Sequence, residues 1–263
     1  MVRLIMTLLV VFLVVPCTVN AQSPFQDFMP QNFFDFSADC KTFGDIEITL
    51  APYAWLAGME GTLGVNRRTA QIDISPSEAL SMLDIAFFNF AQIRKGNALL
   101  LSDFMYSSLS DSQQVGRRSS VDSSSEMIAG DLMLGYRVAR YPITIDLFAG
   151  ARYMSTSNFL RINTILGSFE GSADRDWTDP VIGSRFMFNI TEDIGFQFRF
   201  DVGGFNVSSE NVWNLVTGFN FRYNDSMRFI LGYRHMSYRY FDNTGFTFDV
   251  GLGGFGSALV FTF

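Results

Sequence analysis

Eight arginines and seven carboxylates recur at alternate positions along this chain, and they are the residues best placed to do chemistry. The basic set is Arg94, Arg137, Arg152, Arg185, Arg199, Arg222, Arg228 and Arg234; the acidic set is Glu47, Asp103, Asp131, Asp146, Asp179, Asp201 and Asp249. A guanidinium presents a planar fork of donors that meets a carboxylate through two hydrogen bonds, so mixed sets of this kind form ion-pair ladders. A ring of one sign would instead suit an ion-selective pore, and no such cluster is seen. Acid–base catalysis near neutral pH usually relies on histidine. The chain has one, His235, on the oily side of its segment beside Tyr233 and Ser237. The aspartates alternate with arginines, which keeps them ionised rather than poised to transfer a proton. Phosphate loops, zinc-ligand spacings and nucleophile elbows do not occur. The expectation is a non-enzymatic protein without cofactor or metal.

The segments that carry these charges alternate with a period of two. In Ile194-Gly-Phe-Gln-Phe-Arg-Phe-Asp-Val202, Ile194, Phe196, Phe198, Phe200 and Val202 share one face, while Gly195, Gln197, Arg199 and Asp201 share the other. The same opposition recurs at 128–138, 143–153, 178–188, 212–223 and 227–238. A helix would mix the two sets. Soluble sandwiches also alternate, but their apolar face meets a second sheet. Here the segments often run for ten or more residues, enough for a tilted bilayer crossing, and Arg and Asp share the second face with Gly. The pattern predicts an all-β fold: a closed antiparallel up-and-down transmembrane barrel with an oily exterior and a polar interior.

Turn chemistry sets the strand count. Short turns fall at Arg94-Lys-Gly-Asn97, Ala139-Arg-Tyr-Pro142, Asn189-Ile-Thr-Glu-Asp193 and Tyr223-Asn-Asp-Ser226. Longer connections are expected near 109–121, 164–176, 206–210 and 241–245, and the two series should face opposite sides of the membrane, short turns to the periplasm. About ten strands are expected, within a range of eight to twelve, with Gly58 to Asp84 as one external insertion that holds a hairpin around Asn66-Arg67-Arg68 and a short helix from Ser75 to Leu83; twelve follow if Gly61 to Ser75 instead enters the wall. Ser75, Pro76 and Glu78 supply that helix with an N-cap, a first-position proline and a third-position acid. In the last segment Leu259, Phe261 and Phe263 share one face while Phe248, Val250 and Leu252 sit on the opposite parity. All six are read on the outer face, so a bulge or bend is expected across Gly251 to Gly256, which glycine permits.

Residues 1–21 read as an export signal: Arg3, an apolar run from Leu4 to Pro16, and Val19-Asn20-Ala21 before the cleavage point. Cys17 would be the acceptor in a lipoprotein reading, but Pro16 stands where a small residue is normally required. The mature chain would hold 18 basic and 26 acidic residues, a net charge of −8, which offers no footprint for nucleic acid. Cys40 would be its one thiol, so neither an internal disulfide nor a cysteine metal cluster can form. Residues 22–44 carry Phe25, Phe28, Phe33, Phe34 and Phe36 without strand alternation and read as a periplasmic segment, with the barrel at 45–263.

Several stretches resemble uncharacterised Gram-negative outer-membrane barrel proteins: Pro52-Tyr-Ala-Trp-Leu-Ala-Gly-Met-Glu-Gly-Thr-Leu-Gly-Val65, Leu134-Gly-Tyr-Arg137, Ala149-Gly-Ala-Arg-Tyr153, Asp176-Trp-Thr-Asp-Pro-Val-Ile-Gly-Ser-Arg185 and Leu231-Gly-Tyr-Arg234. The resemblance covers roughly 45–263 in the same order and brings no assigned activity. Many such relatives have an acid where this chain has Gln92, which implies one interior ion pair fewer here. The resemblance also implies that Phe263 is the aromatic end read by the barrel-assembly machinery. Arg67, Arg68, Arg117 and Arg118 fall at expected loop tips, where they could meet lipopolysaccharide phosphates beside the lipid bilayer. Nothing in the sequence sets an oligomeric state. Three functions are carried forward: a barrel with a structural or surface-interaction role, a narrow porin-like channel for small solutes, and, least favoured, a barrel hydrolase.

Overall fold

The computed structural model describes residues 46–65, 68–114, 120–164 and 167–263. They form β1 (Ile46–Val65), β2 (Arg68–Ile74), α1 (Pro76–Ser81), β3 (Leu83–Lys95), β4 (Ala98–Gln114), β5 (Ser120–Ala139), β6 (Thr144–Thr164), β7 (Gly167–Asn189), β8 (Ile194–Gly203), β9 (Asn211–Arg222), β10 (Met227–Phe241) and β11 (Thr247–Thr262). Each barrel strand pairs antiparallel with its sequence neighbour, and β11 returns to β1, closing a ten-strand barrel. The closing seam runs from Thr49↔Thr262 to Gly64↔Thr247, and the Ile48 and Phe263 amides each donate to the other's carbonyl, at 2.8 and 3.1 Å. Closure leaves no unpaired sheet edge in the wall, the condition lipid imposes.

β2 is the eleventh strand but does not enlarge the ring. It pairs only with the upper part of β1, from Met59↔Ile74 to Val65↔Arg68, while the lower part of β1 pairs with β3. Residues Gly58 to Val65, expected in an external insertion, are instead barrel wall, because β11 pairs with β1 along this whole stretch. The chain then folds back as β2 and enters α1. Its capping box is formed as the sequence indicates: Glu78 N–H donates to Ser75 Oγ and Ser75 N–H to Glu78 Oε2. The helix is shorter than expected, since β3 already begins at Leu83.

The outer surface carries the oily flank. Leu132, Leu134, Tyr136, Val138, Leu147, Ile182, Phe219, Leu231 and Phe255 are all exposed, from 46% at Phe219 to 74% at Phe255. The ten-residue rise from Ile128 to Val138 spans about 33 Å along β5, or about 25 Å once tilted by roughly 40°, the height of an outer-membrane hydrocarbon belt. A water-soluble protein rarely presents so continuous an apolar surface.

Two expectations are corrected. The connections placed near 109–121 and 164–176 are mostly strand: β4 and β5 pair up to Gln114↔Ser120, and β6 and β7 up to Thr164↔Gly167. Backbone pairing needs no apolar side chains, so the ladder continues beyond the belt on polar cross-strand pairs such as Ser112 with Asp122, Ser157 with Asp174 and Arg161 with Glu170. The second correction concerns β11, which has no bulge. Its pairing with β1 and with β10 holds one register throughout. Phe248, Val250 and Leu252 therefore point inward and are buried, while Asp249 points outward and pairs with Arg239 at 3.5 Å. The barrel interior is apolar at this height, so apolarity does not mark the outer face there.

This inversion can be checked by thiol labelling of folded protein in a background with Cys17 and Cys40 replaced. Asp249→Cys should react with a charged maleimide at the rate of an exposed thiol, and Val250→Cys should stay unlabelled until the barrel is denatured. The opposite order would restore the bulge.

Candidate functional site

The lumen holds most of the charges singled out above, arranged in layers from the end carrying the short turns. Arg94 and Glu47 pair at the mouth, where β3 lies beside β1. Deeper, Asp146 accepts from both Arg137 and Arg185: Arg137 Nε reaches Oδ1 at 2.7 Å, and Arg185 Nη2 reaches Oδ2 at 2.6 Å. The same Arg185 nitrogen donates to Gln92 Oε1 at 2.5 Å, across the barrel from β7 to β3. Gln92 thus occupies the place of the second carboxylate as a neutral acceptor.

The central layer is one connected network. Arg152, fully buried on β6, donates to both oxygens of Asp131 at 2.7 and 2.8 Å and to Asp201 at 2.8 Å. Arg199 bridges the same two acids, at 3.1 Å to Asp201 and 3.2 Å to Asp131. Asn214 donates to Asp201 and accepts from Arg234 Nε. Arg234 also contacts Asp103 at 3.0 Å and donates to the Tyr53 hydroxyl at 2.8 Å, which in turn donates to Asp103 at 2.7 Å. Two arginines and two aspartates at the centre balance in charge, and Asp201 receives three donor groups. Such satisfaction is what offsets the desolvation of buried ions.

Above this network, away from the short turns, the lumen is filled by apolar and aromatic side chains. Trp177 stacks on Tyr240 with centroids 4.2 Å apart and meets Phe248 and Tyr238 edge-on. Met154, Met236, Val212 and Val250, all at most 1% exposed, complete the layer. The sequence reading placed Asp179 inward but passed over Trp177, which shares its face two residues away; parity alone would have found it. Asn214 lies on the inward face that its parity indicates, but neither it nor Tyr53 carries a formal charge that would mark it as part of an ion-pair network.

Other expected members lie elsewhere. Asp179 is fully buried but takes no arginine. It accepts from the Ser209 backbone N–H at 2.7 Å and the Ser209 hydroxyl at 2.5 Å, fixing the loop between β8 and β9. Arg222 is a rim residue paired with Asp225 in the adjacent turn, because its strand ends there. Arg228 lines the mouth of the lumen. Asp249 is outside, as described. Arg67, Arg117 and Arg118 lie outside the described residues, as do the signal at 1–21 and the segment 22–44; Arg68 opens β2. His235 faces outward with its ring stacked on Trp213 at 4.7 Å. Phe263 is exposed at the seam. Among the described residues no group of three His, Cys, Asp or Glu side chains is close enough to hold a metal.

Between the mouth and the central network lies a cavity of about 210 Å³, continuous with solvent. Arg94, Gln92, Arg137, Arg185 and Arg199 line the arc from β3 to β8; Val216, Ile230, Val260 and Ala51 line the arc from β9 to β1.

Comparisons place the fold. The chain superposes on the outer membrane protease OmpT from Escherichia coli with a TM-score of 0.51, over 88% of this chain and 99% of that one. Their identity is 10%, so the likeness is one of fold. A weaker match is the translocator domain of the autotransporter NalP from Neisseria meningitidis, with a TM-score of 0.40, 8% identity, and coverage of 82% and 88% of the two chains. No family model and no curated protein matches the sequence. The architecture is that of an outer-membrane β-barrel.

Two measurements probe these arrangements. Arg152→Leu should lower the unfolding free energy in urea by about 3–5 kcal/mol, since Asp131 and Asp201 would keep only Arg199 between them in a dry interior. A change below 1 kcal/mol would show that solvent reaches the layer. In the connection between β10 and β11, burial raises the Asp242 pKa, but donors from Thr244, Phe246 and Arg175 outweigh it and hold the carboxyl at about 2. A depressed value stabilises the loop fully above the ordinary carboxylate range near 3.9 and loses that contribution as pH falls toward about 2. NMR titration should give this low midpoint in the folded protein, and Thr244→Ala should move it upward.

Proposed function

We propose that this protein resides in the outer membrane of a Gram-negative bacterium as a sealed, non-enzymatic barrel with a structural or surface-interaction role. The observation that carries the reading is the two-layered filling of the lumen: the ion-pair network around Arg152 and the aromatic layer around Trp177, both with side chains at or near zero exposure. A barrel of this size is only slightly wider than the eight-strand case, whose interior side chains can fill. The short turns face the periplasm and the polar extension of β4 to β7 rises outside, toward lipopolysaccharide. Phe263, at the end of the seam strand, is the feature offered to the barrel-assembly machinery. His235, stacked outside on Trp213, and carboxylates engaged with arginines favour the non-enzymatic reading over a hydrolase.

Refolded protein in planar bilayers should give no stable unitary conductance steps. Reproducible steps of one size would overturn the sealed reading and favour a narrow channel for small solutes.

A further inference from the structure

The cavity on the short-turn side of the central network has three features that bear on what it can hold. The first is charge. Arg137 and Arg185 share the single carboxylate of Asp146, and the remaining acceptor of Arg185 is the neutral amide of Gln92. This buried cluster therefore keeps one net positive charge, whereas the central layer balances. The second is hydrogen bonding. Asn220 Nδ2 and Arg234 Nη2, on residues that line the cavity, are buried without an acceptor. Both are donors, so what the wall lacks is an oxygen or an anion. The third is shape. Opposite the arginines of the arc from β3 to β8, the wall from β9 to β11 carries an apolar strip of Val216, Ile230, Gly232, Gly256 and Val260, bordered by Asn220, Arg228 and Arg234.

Gly218 and Gly232 lie directly opposite each other on β9 and β10. A Cβ on Gly218 would come within 2.9 Å of the Gly232 Cα, and one on Gly232 within 3.0 Å of the Gly218 Cα. Glycine is thus demanded by the backbone, and the missing side chains leave room beside Val216 and Ile230. From Glu47 at the mouth to Trp55 at the base the wall runs eight residues, roughly 20 Å of depth after tilt.

We infer that this cavity is a blind binding site for a small amphipathic anion, whose carboxylate or phosphate head meets the Arg137–Arg185 cluster while its apolar body lies along the β9–β11 arc. The amphiphile enters from the short-turn side and cannot pass the central network. The inference holds whether or not the aromatic layer admits ions, so it does not stand or fall with the conductance result. Gln92 decides it: a glutamate there would supply the second carboxylate, neutralise the cluster and present a negative charge to the ligand head.

The test is native mass spectrometry of the folded mature protein released from a non-ionic detergent, with dodecanoate, dodecanol and inorganic phosphate as separate probes. Dodecanoate should bind with one molecule per barrel and compete with dodecyl phosphate; dodecanol should bind at least tenfold more weakly. Gln92→Glu should weaken dodecanoate binding by tenfold or more while unfolding at the same or higher urea concentration, since it completes an ion pair. Asn220→Leu, which removes an unpartnered donor without breaking a salt bridge, should weaken it several-fold and serves if Gln92→Glu does not fold. Equal uptake of dodecanoate and dodecanol, uptake of phosphate without dodecanoate, or undiminished binding in the folded variants would each overturn the inference.

Discussion

The arrangement of this barrel depends on burying Arg152. A guanidinium fully removed from water in the middle of a membrane protein is tolerable only if its neighbours return most of what hydration supplied, and here Asp131 and Asp201 engage its Nε and Nη2 from two different strands, leaving Nη1 alone without an acceptor. Those acids then need further donors, which come from Arg199 and Asn214, and Asn214 in turn orients Arg234 toward Asp103 and Tyr53. One buried cation thereby ties together β1, β4, β5, β6, β8, β9 and β10. Strand backbones alone would permit a range of barrel cross-sections; a connected polar network of this kind fixes one.

Much of this was legible from residue order. The period of two gave the strands, the short turns gave their boundaries, and the interior parity of Arg137, Asp146, Arg152, Arg185, Arg199 and Asp201 was readable without coordinates. Legibility failed where the physical contrast between the two faces vanished. On β11 the interior neighbours of Phe248 and Val250 are Trp177 and Tyr238, so an inward face looks as oily as an outward one. In β4 to β7 the strands outrun the hydrocarbon, and serine-rich hairpins held by backbone pairing read as loops. Which arginine meets which acid was not legible either. Arg152 stands beside Asp179 in register yet turns to Asp131 and Asp201, while Asp179 secures a loop.

The vertical order of the interior is informative about sidedness. Charged groups and an open cavity occupy the half nearest the short turns; closely packed aromatics occupy the other half, beneath the polar hairpins. A molecule approaching from the hairpin side meets Arg175, held by Asp242 over the Phe246 ring, and then the closely packed layer of Trp177 and Phe248. One approaching from the turn side meets arginines around an open cavity.

The mutual amide bonds of Ile48 and Phe263 also bear on how the cylinder comes together. Every other junction in the wall joins strands that are neighbours or near neighbours along the chain, and needs only a short excursion of backbone to form. The seam unites positions about 215 residues apart. On loop-closure entropy alone it costs about 3–4 kcal/mol more than a tight hairpin, a difference that shrinks once the intervening hairpins have formed and drawn the two ends together. The pairing at Phe263 is therefore a latch: until β11 meets β1, the curled sheet keeps two bare edges.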